Sequence, residues 1–262
     1  MTLMKLLTVC SAVVLLLGAI MLPKGEAKPP EDLVLYLSFD EVKGKTVVDL
    51  SIYGNDAEMK GDAKISPDGK FEKAVELDGV GDYLVVKNHP SLQLTTAITI
   101  SCWVKITGGP TDRQSAVEKE PAWQPGEYNL IPVYDGGVLF QANDLPDNCD
   151  DEGSVGNVKD GKWHFVAGTW DGKVIKTYID GEVVGKRECS GKLEKGSGDL
   201  FIGSRGGTSR FLWGFIDEVK IYSRALSDDE VKADMENPRH NVTPVEPLDK
   251  LAVIWGSLKR PR

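Results

Sequence analysis

The stretch W-G-F-I-D-E-V-K-I-Y-S-R-A-L-S, residues 213–227, decides the fold class. Phe215, Asp217, Val219 and Ile221 alternate with Ile216, Glu218, Lys220 and Tyr222, and a period of two marks a β-strand. Phe215, Val219 and Ile221 are expected to face a core, which puts Asp217 on the same face. A carboxylate there is costly unless it is paired or holds a cation. Directly after this strand, Ser227 and Glu230 have the spacing of a capping box. A short helix is therefore expected over Asp228–Glu236, ended by Pro238.

Working outward, residues 33–40 read as a strand with Leu33, Leu35, Leu37 and Phe39 on one face. In residues 97–106, Ile98, Ile100, Cys102, Val104 and Ile106 share a face, and Trp103 points the other way. Asp135-Gly136 and Asp171-Gly172 each sit between two strand-like runs, the signature of a hairpin. Many short strands, closely spaced turns and one late helix predict an all-β antiparallel sandwich. The 28 glycines and 14 prolines among 262 residues suit such a turn-rich fold.

A formal net charge of −9 argues against nucleic acid as a partner, because phosphates call for a basic patch. Acidic loops suit Ca²⁺ instead. At the N-terminus, Lys5 precedes an apolar run over residues 6–22, and Gly25-Glu26-Ala27 offers small residues at a cleavage site. Residues 1–27 thus read as a secretory signal peptide, an uncleaved anchor being the alternative. With the signal removed, the protein is expected to be secreted or periplasmic, with no membrane insertion. Residues 28–240 form the expected domain. Residues 241–262 form a linker and a short amphipathic tail carrying Leu248, Leu251, Ile254, Trp255 and Leu258, which docks on its own domain or on a protein partner. Export permits disulfides. Cys149 and Cys189 lie in polar turns and are expected to pair, while Cys102 lies in an apolar strand and reads as a buried thiol.

Eight segments in order carry a resemblance: 35–41 (L-Y-L-S-F-D-E), Gly54-Asn55, 77–85 (L-D-G-V-G-D-Y-L-V), 98–104 (I-T-I-S-C-W-V), 163–170 (W-H-F-V-A-G-T-W), 178–181 (Y-I-D-G), 200–204 (L-F-I-G-S) and 214–227. The chain resembles the laminin-G-like jelly roll of the concanavalin A-like lectin/glucanase superfamily across residues 33–237. The resemblance implies a two-sheet antiparallel jelly roll with one concave sheet, ligand sites on that face or its loop rim, and Ca²⁺ in many members. It extends to pentraxins, which pair a cysteine like Cys102 with one on the strand matching residues 165–170. Ala167 stands near that partner position here, so the bridge is not expected.

The resemblance also implies that the first and last strands are neighbours, which would bring Asp40 and Asp217 together. With the Asn55 amide they form the expected metal site for a structural Ca²⁺. The alternative is that these carboxylates anchor turns by accepting backbone N–H bonds. A second oxygen-rich stretch holds Asp144, Asp147, Asp150, Asp151 and Glu152. Loop aromatics Trp123, Tyr128 and Trp213, with Asn143, Asp144 and Arg205 to fix hydroxyls, form the expected sugar-binding set.

No catalytic residues are expected. The Glu-x-Asp-x-x-Glu string of the glucanase members is missing from the sequence. Adjacent Asp217 and Glu218 should point to opposite faces of a strand. The three histidines lie in no recognisable metal or triad motif. The sequence therefore predicts a secreted, non-catalytic module that binds a carbohydrate or glycoprotein. The alternatives are an extracellular adhesion protein with a protein partner and a divergent glycoside hydrolase.

Overall fold

The computed structural model describes residues 29–120, 123–143, 145, 149 and 154–239. The expected signal peptide, the loop residues Asp144, Asp147, Asp150, Asp151 and Glu152, and the tail 241–262 lie outside them. The strands are β1 (Leu33–Leu37), β2 (Val42–Lys43), β3 (Thr46–Val47), β4 (Ala57–Lys60), β5 (Lys64–Ser66), β6 (Ala74–Asp78), β7 (Tyr83–Val86), β8 (Ile98–Ile106) and β9 (Arg113–Gln114). They continue as β10 (Val117–Lys119), β11 (Tyr128–Tyr134), β12 (Gly137–Ala142), β13 (Trp163–Trp170), β14 (Val174–Ile179), β15 (Glu182–Glu188), β16 (Leu200–Ile202) and β17 (Trp213–Tyr222), followed by helix α1 (Asp228–Glu236).

Two antiparallel sheets face each other. The back sheet runs β15-β14-β13-β8-β17-β6-β5, with β1 also on β17. The front sheet runs β12-β11-β10-β16-β7-β4-β3-β2, with β9 also on β11. Their inner faces bury one continuous apolar core, in which Ile98, Ile100, Cys102, Val104 and Ile106 of β8 meet Val117, Leu130, Phe140, Leu200 and Ile202 of the front sheet. Each such fully buried aliphatic side chain contributes about 1.5–3 kcal/mol. Both Asp-Gly hairpins form as their turn chemistry dictates. Cys149 and Cys189 are disulfide-bonded, and Cys102 is a free, buried thiol that burial pushes well above its ordinary pKa. Among the described residues no helix is long and apolar enough to cross a membrane.

Helix α1 starts at the expected capping box, with Ser227 and Glu230 bonding each other's backbone N–H. The helix covers the outer face of the back sheet. Its Val231 joins Leu33, Tyr36, Trp103, Phe165 and Tyr178 in a second apolar cluster. Its Asp234 accepts from Lys220 (2.6 Å), Tyr222 (2.8 Å) and Ser101 (2.9 Å) in a buried network.

Two strand faces differ from the sequence reading. In β1 the register shifts between Leu33 and Leu35, so Leu33 belongs to the outer cluster with Tyr36, not to the central core. In β17 the period of two breaks. Ile216, Val219 and Ile221 face the core, while Phe215 and Asp217 face outward. The break is a bulge at Glu218, whose φ is 53°. One side of β17 pairs with β6 as far as Ile216 and with β1 from Val219 onward. The bulge falls where one partner strand ends and the next begins.

Candidate functional site

On the front sheet, Gln141, Asn129, Glu118 and Phe201 stand directly opposite one another on β12, β11, β10 and β16. Their strand neighbours Phe140, Leu130, Val117 and Ile202 fill the core, so alternation sends this row to the outer face. Three polar side chains thus lie abreast, and all three are buried.

The 204–210 loop leans over the row. Gly206 and Gly207 take left-handed backbone (φ 57° and 67°), and a Cβ on Gly207 would strike the Tyr83 ring at 2.6 Å. This turn, closed by a bridge between Arg205 and Ser209, aims both of its arginines at Glu118. Arg210 Nη1 donates to Glu118 Oε1 at 3.2 Å, and Arg205 Nε lies 3.6 Å from the same oxygen. Arg113, from β9, donates to the Tyr134 hydroxyl at 3.3 Å and lies 4.8 Å from that ring's centroid. Arg210 lies over the same ring at 6.0 Å. Trp123 stacks under Arg205, 4.8 Å from guanidinium carbon to ring centroid. Trp123 and Arg210 both hold left-handed backbone (φ 61° and 51°) without being glycine, a strain of the kind found at ligand clamps.

Between these groups opens a cleft of about 500 Å³, lined by Gly79, Pro110, Asp112, Arg113, Arg205, Ser209, Arg210 and Phe211. Trp213 stands at its rim. Its side chain lies against the backbones of Gly79, Gly108 and Gly109, where added Cβ atoms would come within 2.9, 2.8 and 3.2 Å of it. Nearly half of Trp213 (47 %) and of Trp123 (46 %) is solvent-exposed.

Burial pushes both Glu118 and Glu127 up to about 7, although Arg205 pulls each of them down. Arg210 is lowered by burial and by repulsion from Arg205 and Arg113, against the pull of Glu118. Glu118 Oε2, Asn129 Oδ1 and Arg210 Nη2 are buried with no hydrogen-bond partner among the described residues. Such atoms are rare in folded proteins and carry a desolvation penalty of about 1–3 kcal/mol each.

Of the sequence-predicted sugar-binding residues, Arg205 lines this cleft, Trp123 stacks on Arg205, and Trp213 lies against Gly79 of the lining. Asn143 follows β12, and its N–H donates to the Glu127 carbonyl behind Trp123. Asp144 lies outside the described residues. Tyr128 requires correction. It is a core residue, 1 % exposed, with its hydroxyl donating to the Leu92 carbonyl, and it offers no surface to a ligand. Glu118, Asn129, Gln141, Arg113 and Arg210 were not anticipated. For Asn129 and Gln141 the sequence signal is a single polar residue among apolar neighbours in a strand; Arg113 and Arg210 carry no such signal.

The back sheet holds a second buried acidic group. At the β17 bulge Asp217 and Glu218 both face outward, not to opposite sides. Asp217 Oδ2 accepts the Phe71 N–H at 2.9 Å, and Glu218 Oε2 accepts the Tyr36 hydroxyl at 2.6 Å. Each keeps one buried oxygen without a donor among the described residues. Burial, with mutual repulsion and that of nearby Asp40, lifts Asp217 to about 8; burial and Asp40 lift Glu218 to about 7. Asp40 accepts the Lys73 N–H and pairs with Arg239.

The expected calcium set fits only in part. β1 and β17 are neighbours, and Asp40 is among the charges that raise Asp217. Asn55 does not join them. Its amide donates to the Val34 carbonyl (2.7 Å) and Ser91 (2.9 Å), six residues back along the chain from Asp40. Among the described residues no three His, Cys, Asp or Glu side chains are grouped to hold a metal ion.

A family model described as the concanavalin A-like lectin/glucanases superfamily matches residues 78–232. No curated protein sequence matches the chain. Among solved structures, the binding domain of Paraclostridial Mosquitocidal Protein 1 superposes with a TM-score of 0.62 at 17 % identity, covering 80 % of this chain and 53 % of that one. Domain 4 of AbnA, an extracellular arabinanase from Geobacillus stearothermophilus solved with arabinotriose, gives 0.60 at 20 % identity over 80 % of this chain and 98 % of that domain. The botulinum neurotoxin serotype D ligand-binding domain, solved with N-acetylneuraminic acid, gives 0.58 at 17 % identity over 79 % and 51 %. The chain spans about half the length of the toxin domains it matches. These likenesses establish a lectin-like jelly-roll fold.

Proposed function

The chain belongs to the concanavalin A-like lectin/glucanase superfamily, and from that premise we propose that it is a non-catalytic carbohydrate-binding module whose ligand enters the front-sheet cleft. One observation carries this reading: a cleft of about 500 Å³ lined by Arg113, Arg205 and Arg210 has the half-exposed Trp123 stacked on Arg205 and the half-exposed Trp213 packed against Gly79 of its lining. Sugars present both a hydroxyl edge and an apolar face, so polar groups beside open indole rings suit them. The arabinotriose bound to Domain 4 of AbnA supports the same class of ligand. Glu118 shares one oxygen between two guanidiniums, an arrangement that fixes charge in place rather than freeing a nucleophile. The Cys149–Cys189 disulfide supports export to an oxidising compartment, as a signal peptide at residues 1–27 would provide.

A glycan array probed with the wild type and with Trp123→Ala tests the proposal. Binding that Trp123→Ala weakens about tenfold supports it; a wild type that binds no glycan overturns it.

A structural Ca²⁺ is a separate part of the proposal. The buried free oxygens of Asp217 and Glu218 favour a cation at that seam, with Asp40 released from Arg239 as the third carboxylate. Melting with and without EDTA tests it. No shift for the wild type, and no difference between the wild type and Asp217→Asn, would remove calcium from the account.

A further inference from the structure

The proposed sugar site carries a charge pattern that points to a narrower ligand. The chain has 31 Lys and Arg against 40 Asp and Glu, yet three arginines converge on this one cleft. Arg205 and Arg210 share a single carboxylate oxygen, Glu118 Oε1. Arg113 is half-buried and makes no ion pair among the described residues; its contacts are the Tyr134 ring and hydroxyl. Arg210 is only 7 % exposed along its side chain and leaves Nη2 unpartnered. The acidic groups around these arginines are Glu118, Asp112 in the same lining, Glu127 beside Trp123, and Glu120 next to Gly206. The cleft lining itself carries three arginines against one carboxylate, Asp112, so guanidinium charge predominates on its surface. Burial first, and then repulsion from Arg205 and Arg113, lower Arg210, against the pull of Glu118.

Resting on the carbohydrate reading above, we propose that the cleft selects acidic glycans, its arginines receiving a uronate carboxylate or a sulfate ester while Trp123 or Trp213 meets the sugar face. A planar guanidinium held by stacking loses little freedom on binding an anion, and its fork matches carboxylate geometry. The anion would pair Arg113, which makes no ion pair among the described residues, and relieve the repulsion among the three arginines. Non-specific attraction does not mimic this selectivity, because the protein as a whole is negatively charged.

Calorimetric titration tests the proposal with trigalacturonate, a sulfated carrageenan oligosaccharide and neutral arabinotriose. One or both acidic probes should bind at least about tenfold tighter than arabinotriose, and Arg113→Gln should remove about that tenfold. Arg113→Gln leaves the buried Glu118 pairs untouched and removes only its contacts with Tyr134, and circular dichroism checks that the variant is folded. Whichever acidic probe binds tells carboxylate from sulfate. Arabinotriose binding as tightly as the acidic probes, with Arg113→Gln unchanged, overturns acidic selectivity and leaves the carbohydrate reading standing. Failure of all three probes, together with an empty glycan array, sinks both.

Discussion

Two buried carboxylate groups, one on each sheet, are alike in chemistry and opposite in setting. At the β17 bulge Asp217 and Glu218 sit in the gap between β6 and β1, beneath Phe71 and close to Tyr36. On the front sheet Glu118 sits in a straight ladder whose outer face turns toward a cleft of about 500 Å³. Burial lifts all three carboxyls to about 7 or 8. A perturbed pKa alone therefore does not locate function. What separates the two is their company. The first group is held by backbone N–H, a phenol and the contacts that dock α1. The second is met by arginines on a glycine turn and by indoles open to solvent. We read the first as part of the scaffold and the second as the proposed ligand site.

This division can be broken at several points. The largest effect is expected at Lys220. Its Nζ is buried against Asp234, and Lys220→Ala would strand that carboxylate, costing about 3–5 kcal/mol and lowering Tm by roughly 10 °C. Chemical denaturation measures this, and glycan binding by the remaining folded protein should be unchanged.

Next in size is a pH effect at the bulge. Asp217 and Glu218 are raised to about 8 and 7, so the native state holds more protons than the unfolded chain above about pH 4. Stability in EDTA should therefore be fully present below about pH 4 and fall as the pH rises toward 8. Asp217→Asn should flatten that fall in Tm, and an equally steep fall in the variant would deny the buried carboxyl its role. Glu118 and Glu127 contribute with the same sign, so flattening is partial.

A smaller effect on stability, and a larger one on binding, is expected from Glu118→Gln. It is isosteric and keeps an acceptor for Arg210, so Tm should move by no more than about 4 °C, about 1 kcal/mol. Glycan affinity should change by about tenfold because the arginines lose their anchor. Thermal melting and calorimetry on the same sample check both halves.

Much of the fold was legible because its signals are local. Asp-Gly turns, the Ser227/Glu230 box and the β8 alternation each decide their own neighbourhood. The bulge was not, because Glu218's left-handed backbone accompanies two partner strands that meet along one side of β17. Reading through it as an unbroken strand put Phe215 and Asp217 on the wrong face. The candidate site was half legible. Trp123, Arg205 and Trp213 announce themselves as loop residues, but Gln141, Asn129 and Glu118 come together only through the register of three strands. Tyr128 was misread for the converse reason: proximity to a Pro/Gly loop implied exposure, whereas the parity that turns Asn129 outward turns Tyr128 into the core.

The central claim is that the front-sheet cleft, and not the back-sheet carboxyls, takes the ligand. The direct measurement is calorimetric titration of one array-positive glycan into wild type, Asp217→Asn and the Trp123→Ala/Arg113→Gln double variant, each shown to be folded by circular dichroism. Wild type and Asp217→Asn should bind alike, while the double variant should lose about 100-fold, two tenfold losses combined. Undiminished binding by the double variant, or lost binding in Asp217→Asn, would contradict the account.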